Sequence, residues 1–169
     1  NATGIGGWTK KDFVRAMTVG LSPNGEHYYP AFPYVSFTRM TTADIRDLWA
    51  YLKTVPAVKS KSDSHRLDFP YSVRPGVGIW KLLFLIEGQY KRNPAKSKLW
   101  NRGAYIVEGL GHCSMCHTPM NLLGASKNKY YLTGQLIDGY WAPDITKRGL
   151  ETAKRYQVAD VFEDGELIN

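Results

Sequence analysis

Cysteine is nearly absent: Cys113 and Cys116 are the only two in 169 residues, and both fall within one five-residue stretch. No structural disulfide can exist beside that stretch. No segment has the layout of a secretory leader. The longest apolar run, from Gly78 to Ile86, is broken by Lys81 and is far too short to span a bilayer. Strand-like alternation is scarce, which argues against a sheet-based fold. Acidic residues are short in one place. Between Lys53 and Arg102 there are 11 Lys/Arg against 3 Asp/Glu, a net +8, while the rest of the chain nets −1. The chain opens at Asn1 rather than at a methionine, which predicts a mature product or a window from a longer chain.

A hydrophobic fraction of 43% and a charged fraction of 22% are those of a globular protein rather than a disordered tail. The length suits one ordinary domain or two small ones, each marginal without something further to pack around. The central basic stretch predicts a face for an acidic partner or an anionic membrane surface, or simply a solvated basic face. Nucleic acid is disfavoured, because prolines interrupt the stretch and no binding module is present.

The periodicity is helical. Thr9 with Asp12 resembles a capping box, Phe13, Ala16 and Met17 form a stripe, and Gly20 is the stop. Thr41 and Thr42 open a second helix with Ile45, Leu48, Trp49 and Leu52 on one face, running to about Thr54 before Pro56. Residues 56 to 98 read as a long linker with a short amphipathic insert around Trp80–Ile86. A third helix carries Leu99, Gly103, Ile106 and Leu110 on one stripe and runs almost directly into Cys113. A fourth is predicted from about Glu151 to Glu163. Thr118 to Lys147, rich in Gly, Asn and Tyr, is predicted as loop.

Cys113-Ser114-Met115-Cys116-His117 is the attachment signature of c-type haem. Two thiols one helical turn apart add to the two porphyrin vinyl groups, and His117 is placed under the iron as the proximal ligand. The preceding helix supplies a rigid platform. A dithiol redox centre also uses Cys-x-x-Cys but expects a βαβ context that is missing. Zinc needs a second ligand pair, and His27, His65 and His112 show no convergent spacing. Haem attachment requires reduced thiols to meet haem outside the cytoplasm. This predicts the bacterial periplasm, at the outer face of the cytoplasmic membrane.

Several longer stretches make the comparison more specific. They are Thr3-Gly-Ile-Gly-Gly-Trp-Thr9, Tyr29-Pro-Ala-Phe-Pro-Tyr34 leading into Phe37-Thr-Arg-Met40, Asn101 through Cys113, Cys116-His-Thr-Pro119, and Tyr140-Trp-Ala-Pro-Asp-Ile-Thr146. On these residues, which cover nearly the whole chain, the protein resembles the multihaem cytochrome c subunits of bacterial membrane-bound dehydrogenases for alcohols, sugar acids, aldehydes and nicotinate.

The resemblance implies an all-α fold: cytochrome c-like helical haem domains in tandem, joined by a long basic linker. Residues 1–57 would be the C-terminal part of a first domain, 58–98 the linker, and 99–169 the N-terminal part of a second. It implies a methionine as distal iron ligand shortly before the last helix. Met40 is the candidate, for the haem of the preceding domain, although many relatives have methionine at the position of Phe32. Pro119 and Trp141 are expected to line the haem pocket, with a proline carbonyl accepting the His117 Nδ1 proton; Trp141 reads equally as core. Met120, three residues after His117, lies on the wrong side of the ring to serve as the distal ligand.

The implied function is one-electron transfer without bond-making on a substrate by this chain. Electrons would arrive from a dehydrogenase catalytic subunit and leave towards quinone or a terminal oxidase. The rivals are a peroxidase-like haem protein with an open distal site, a structural haem domain that docks a partner, and a single permuted cytochrome domain. An echo between Phe13–Gly20 and Val158–Gly165, 145 residues apart, supports the tandem reading. It places a second haem motif, and hence a second haem c, about 30 residues before Asn1.

Overall fold

A computed structural model of the chain describes residues 4–60, 63 and 65–151. The helix expected near residues 151–163 lies outside the described residues. The chain divides into two compact units, one running to His112 and the other beginning at Cys113.

The first unit is helical. Helix α1, Lys10–Val19, starts at the predicted capping box: the Asp12 N–H donates to Thr9 Oγ1 (3.1 Å), and the Thr9 N–H donates to the Asp12 carboxylate (3.0 Å). It stops at Gly20, whose φ of +64° is left-handed. A Cβ there would also collide with the Tyr34 ring, so glycine is required twice over. After a single turn, α2 (Tyr34–Phe37), comes α3, Thr42–Thr54, capped by Thr41 through the Asp44 N–H. The core is Phe13, Met17, Met40 and Ile45, with Trp49 packed on Phe13 at 5.0 Å between ring centroids.

Part of the stretch read as linker, from Arg74 onward, makes hydrogen bonds within this unit. Helix α4, Gly76–Phe84, puts its lysine inward. Lys81 Nζ donates to the carbonyls of Val19 (2.7 Å) and Gly20 (3.0 Å), the open C-terminal end of α1, and lies over the Tyr34 ring. A cation on the last carbonyls of a helix satisfies orphan acceptors and the helix dipole together. The chain beyond α4 is stitched to the segment around Arg39: Gly88 N–H donates to Thr38 Oγ1 (3.0 Å) and Tyr90 N–H to the Arg39 carbonyl (2.9 Å).

Helix α5, Lys98–Tyr105, ends in a π-helical turn, Ile106–Leu110, in which the Gly111 N–H reaches back to the Ile106 carbonyl (2.7 Å). Buried Asn101 near its start accepts from Tyr90 Oη (2.9 Å) and the Asn93 N–H (2.7 Å). Its amide donates to the Asn93, Lys96 and Ser97 carbonyls. Leu110 packs against the Met40 core, and the wider turn lets Gly109 lie close to Arg39. The helix predicted to lead into Cys113 thus packs with the segment carrying α1 to α3.

Tyr105 ties α5 to α3. Its hydroxyl accepts from the Thr41 N–H (2.9 Å) and donates to the Asp44 carboxylate. The Tyr105 and Thr41 hydrogen bonds hold the Asp44 carboxyl below its ordinary 3.8. A depressed folded pKa stabilises the fold above pH 3.8, and that contribution is lost as pH falls through the folded value. Tyr105→Phe is expected to cost about 1–3 kcal/mol in urea unfolding near neutral pH, because the Thr41 N–H loses its acceptor. Asp44→Asn should flatten the pH dependence of stability below pH 3.8; an unchanged acid limb would count against the carboxylate.

The described residues of the second unit are loop-rich. A single turn, α6 (Ser114–His117), is followed by a hairpin of β1 (Gln135–Ile137) and β2 (Tyr140–Ala142), with Leu136 opposite Trp141. The stretch predicted as pure loop therefore holds a two-stranded sheet. Asp138 (φ +48°) and Gly139 (φ +85°) form its two-residue turn, the conformation that Asp-Gly favours. Among the described residues of this unit only Thr118, Ala125 and Gly134 are buried.

Candidate haem attachment site

The site is local in its thiols and long-range in its histidine. The Cys113 carbonyl, at the start of α6, accepts from the His117 N–H (2.9 Å), so both cysteines and the imidazole share one turn. Both thiols are free, Cys116 exposed and Cys113 half-buried. Burial, with a smaller contribution from Cys116, pushes the Cys113 thiol above its ordinary range. That is the reverse of the depressed pKa that activates a dithiol redox centre. No group of three His, Cys, Asp or Glu side chains able to hold a metal ion occurs among the described residues.

His117 is oriented from the far side of the hairpin. Its Nδ1 lies 2.7 Å from the Pro143 carbonyl, which commits that nitrogen as the donor and leaves Nε2 for a metal. Gly134 makes the approach possible. Its N–H donates to the His117 carbonyl (2.8 Å), and its φ of +84° is open to glycine. A Cβ there would sit 2.7 Å from the Ala142 carbonyl and 2.9 Å from the Asp144 N–H, pushing the Pro143 segment away. Thr118, fully buried, locks the next position by accepting from the Leu132 N–H (3.0 Å).

A proline carbonyl does face the imidazole, but it belongs to Pro143 and not to Pro119. The Pro119 carbonyl instead accepts from the Lys127 N–H (2.7 Å), in the adjoining loop. Trp141 stands on β2 and is 65% exposed, so it is not core of this unit. Met40 is buried in the first unit among Phe13, Met17 and Ile45. Phe32 stacks edge-on between Tyr28 and Phe37. Sequence reasoning misses Pro143 and Gly134. The 26-residue separation of Pro143 from His117 gives no periodic signal, although Asp138-Gly139 between apolar pairs marks the hairpin that delivers it.

These features fit covalent haem. Two free thiols precede an imidazole held by its Nδ1, and Leu136 and Trp141, opposite one another on the hairpin, are exposed on a unit with little core among its described residues. An apolar macrocycle suits such side chains, and the set is a candidate c-type haem site.

No protein-family model matches the chain. It is 45% identical over 148 residues to a nicotinate dehydrogenase subunit of Pseudomonas putida, covering 87% of this chain and 12% of that protein. It is 38% identical over 162 residues to the fructose dehydrogenase cytochrome subunit of Gluconobacter japonicus, covering 95% of this chain and 33% of that protein. A diheme cytochrome c-type protein of Cereibacter sphaeroides is 42% identical over 136 residues, 78% of this chain and 44% of its own length. The chain is a homologue of the cytochrome subunits of bacterial dehydrogenases, and it spans less than half the length of each of these relatives.

No helix among the described residues is long and apolar enough to cross a membrane.

Proposed function

We propose that the chain carries single electrons within a periplasmic dehydrogenase complex, through haem c attached at Cys113 and Cys116 with His117 as proximal ligand. The observation that carries this reading is the hydrogen bond between His117 Nδ1 and the Pro143 carbonyl, which orients the ring for ligation through Nε2. Haem supplies reversible one-electron iron redox chemistry when bound. The chain's own residues orient the imidazole and present Trp141 and Pro119 beside the attachment turn. The names of the relatives support a dehydrogenase catalytic subunit as electron donor, and quinone or a terminal oxidase is the proposed acceptor.

The proposal extends to tandem haem domains in the full-length protein, with residues 74–110 belonging to the first described unit, a second haem upstream, and Met40 as the distal ligand of that preceding haem. Electrochemical titration of the haem-loaded, full-length protein is expected to show reversible one-electron steps, with no carbon monoxide adduct on reduction. A carbon monoxide spectrum would point instead to an open distal site and a peroxidase-like role.

A further inference from the structure

The Pro143 carbonyl that faces His117 belongs to a peptide unit shared with Asp144. Proline's ring fixes its own φ, so the direction of that carbonyl depends on the remaining torsion of Pro143 and on the backbone of Asp144. On the hairpin side, β2 is in register with β1 as far as the Ala142–Gln135 pair. On the other side Asp144 itself pins the chain. One oxygen of its carboxylate accepts from the Thr146 N–H (2.8 Å) and from Thr146 Oγ1 (2.6 Å), and the other accepts from Arg148 (3.0 Å).

This is an Asx turn reinforced by a hydroxyl and a guanidinium. Such bonds ordinarily do no more than shape a loop. Here the backbone they hold is packed at both ends. A Cβ on Gly134 would crowd the Asp144 N–H, and one on Gly149 would overlap the Asp144 carbonyl. The next residue is tied back as well, since the Ile145 N–H donates to the Leu132 carbonyl (3.0 Å). Two glycines thus let the chain close around residue 144, and the carboxylate, with its side chain 21% exposed, fixes the turn that follows. The oxygen directed by this arrangement is the one that lies 2.7 Å from His117 Nδ1.

We propose that Asp144 is a positioning residue for the His117 imidazole: by bonding Thr146 it holds the Pro143–Asp144 peptide with its oxygen on Nδ1, and so sets the reduction potential of an iron bound at Nε2. A firmly held acceptor makes the ring a stronger donor and keeps the potential low. Asp144 acts only through the Pro143 carbonyl. The inference rests on the proposed attachment of haem at Cys113 and Cys116 with His117 as proximal ligand.

The test compares Asp144→Ala with Asp144→Asn in the haem-loaded, full-length protein. Redox titration gives the potentials, and NMR of the reduced, isotope-labelled protein gives the exchange rate of the His117 Nδ1 proton. Asparagine keeps an oxygen that can accept from Thr146 and removes the charge; alanine removes both. Asp144→Ala should move one reduction step to higher potential and speed exchange of that proton several-fold. Asp144→Asn should stay close to the unaltered protein in both. Thr146→Val, which removes only the hydroxyl contact, should shift both in the same direction by less, and it decides the matter if Asp144→Ala fails to fold. Equal potential shifts in Asp144→Ala and Asp144→Asn, with proton exchange unaltered, would assign the effect to the lost charge acting through space and overturn the proposal. Covalent haem with unmoved potentials in Asp144→Ala and Thr146→Val would overturn it too, because a loss of stability alone is what a merely structural turn predicts. Haem released from the unaltered protein by acid–acetone would overturn the attachment reading, and this inference with it.

Discussion

Replacing Cys113 and Cys116 together by alanine is expected to leave no haem on this segment after acid–acetone extraction, whereas the unaltered protein keeps it on the denatured chain. The two thiols are the only cysteines in the sequence, both are free, and they share one turn with His117. Removing both therefore abolishes every covalent route at once. Haem peptide mapping with in-gel haem staining reads the result. Haem that leaves the unaltered protein on extraction would mean non-covalent binding and would sink the assignment. The loss should reach the fold as well. With only Thr118, Ala125 and Gly134 buried among its described residues, the second unit has little apolar burial of its own to oppose chain entropy. The variant should show increased proteolysis from residue 113 onward while the first unit stays resistant.

Met40→Ala is expected to destabilise the first unit by about 2–5 kcal/mol, since it opens a cavity beneath Phe13, Met17 and Ile45. Met40→Leu separates packing from ligation. Leucine conserves the apolar volume and should cost less than about 1.5 kcal/mol. If the sulfur also ligates an iron, Met40→Leu will remove the far-red methionine-to-iron charge-transfer band of one haem and lower that haem's potential. An unchanged spectrum and potential in Met40→Leu, with the stability loss confined to Met40→Ala, would leave Met40 as a packing residue. Paired urea unfolding and redox titration on the two variants distinguish the cases.

The parts of this molecule that are legible in the sequence are those governed by neighbours in the chain. Thr9 with Asp12, Thr41 with Asp44, and Gly20 each act within one helical turn, so spacing alone places α1 and α3 closely. The attachment turn is legible for the same reason. The partners of distant residues are not. Lys81 reads as an interruption in an apolar run, yet it is the residue that docks α4, because its acceptors lie about sixty positions away at the end of α1. The segment around it accordingly reads as linker. Tyr105 gives no sign in sequence that it will span to Asp44. Pro119 is the nearer proline to His117, and proximity in the chain favours it over Pro143, which only the hairpin brings within reach.

The division of labour at the attachment site has a consequence for biogenesis. On the proposed attachment, everything needed to form the covalent links lies in five consecutive residues, which a maturation machinery can engage on an extended chain. The imidazole acquires its acceptor only when the Asp138-Gly139 turn closes and Gly134 admits the Pro143 backbone, a closure with a chain-entropy cost that the local turn does not carry. On the proposed attachment, retention and tuning are separable events: the pentapeptide would determine whether the cofactor is retained, and the hairpin the electronic character of His117.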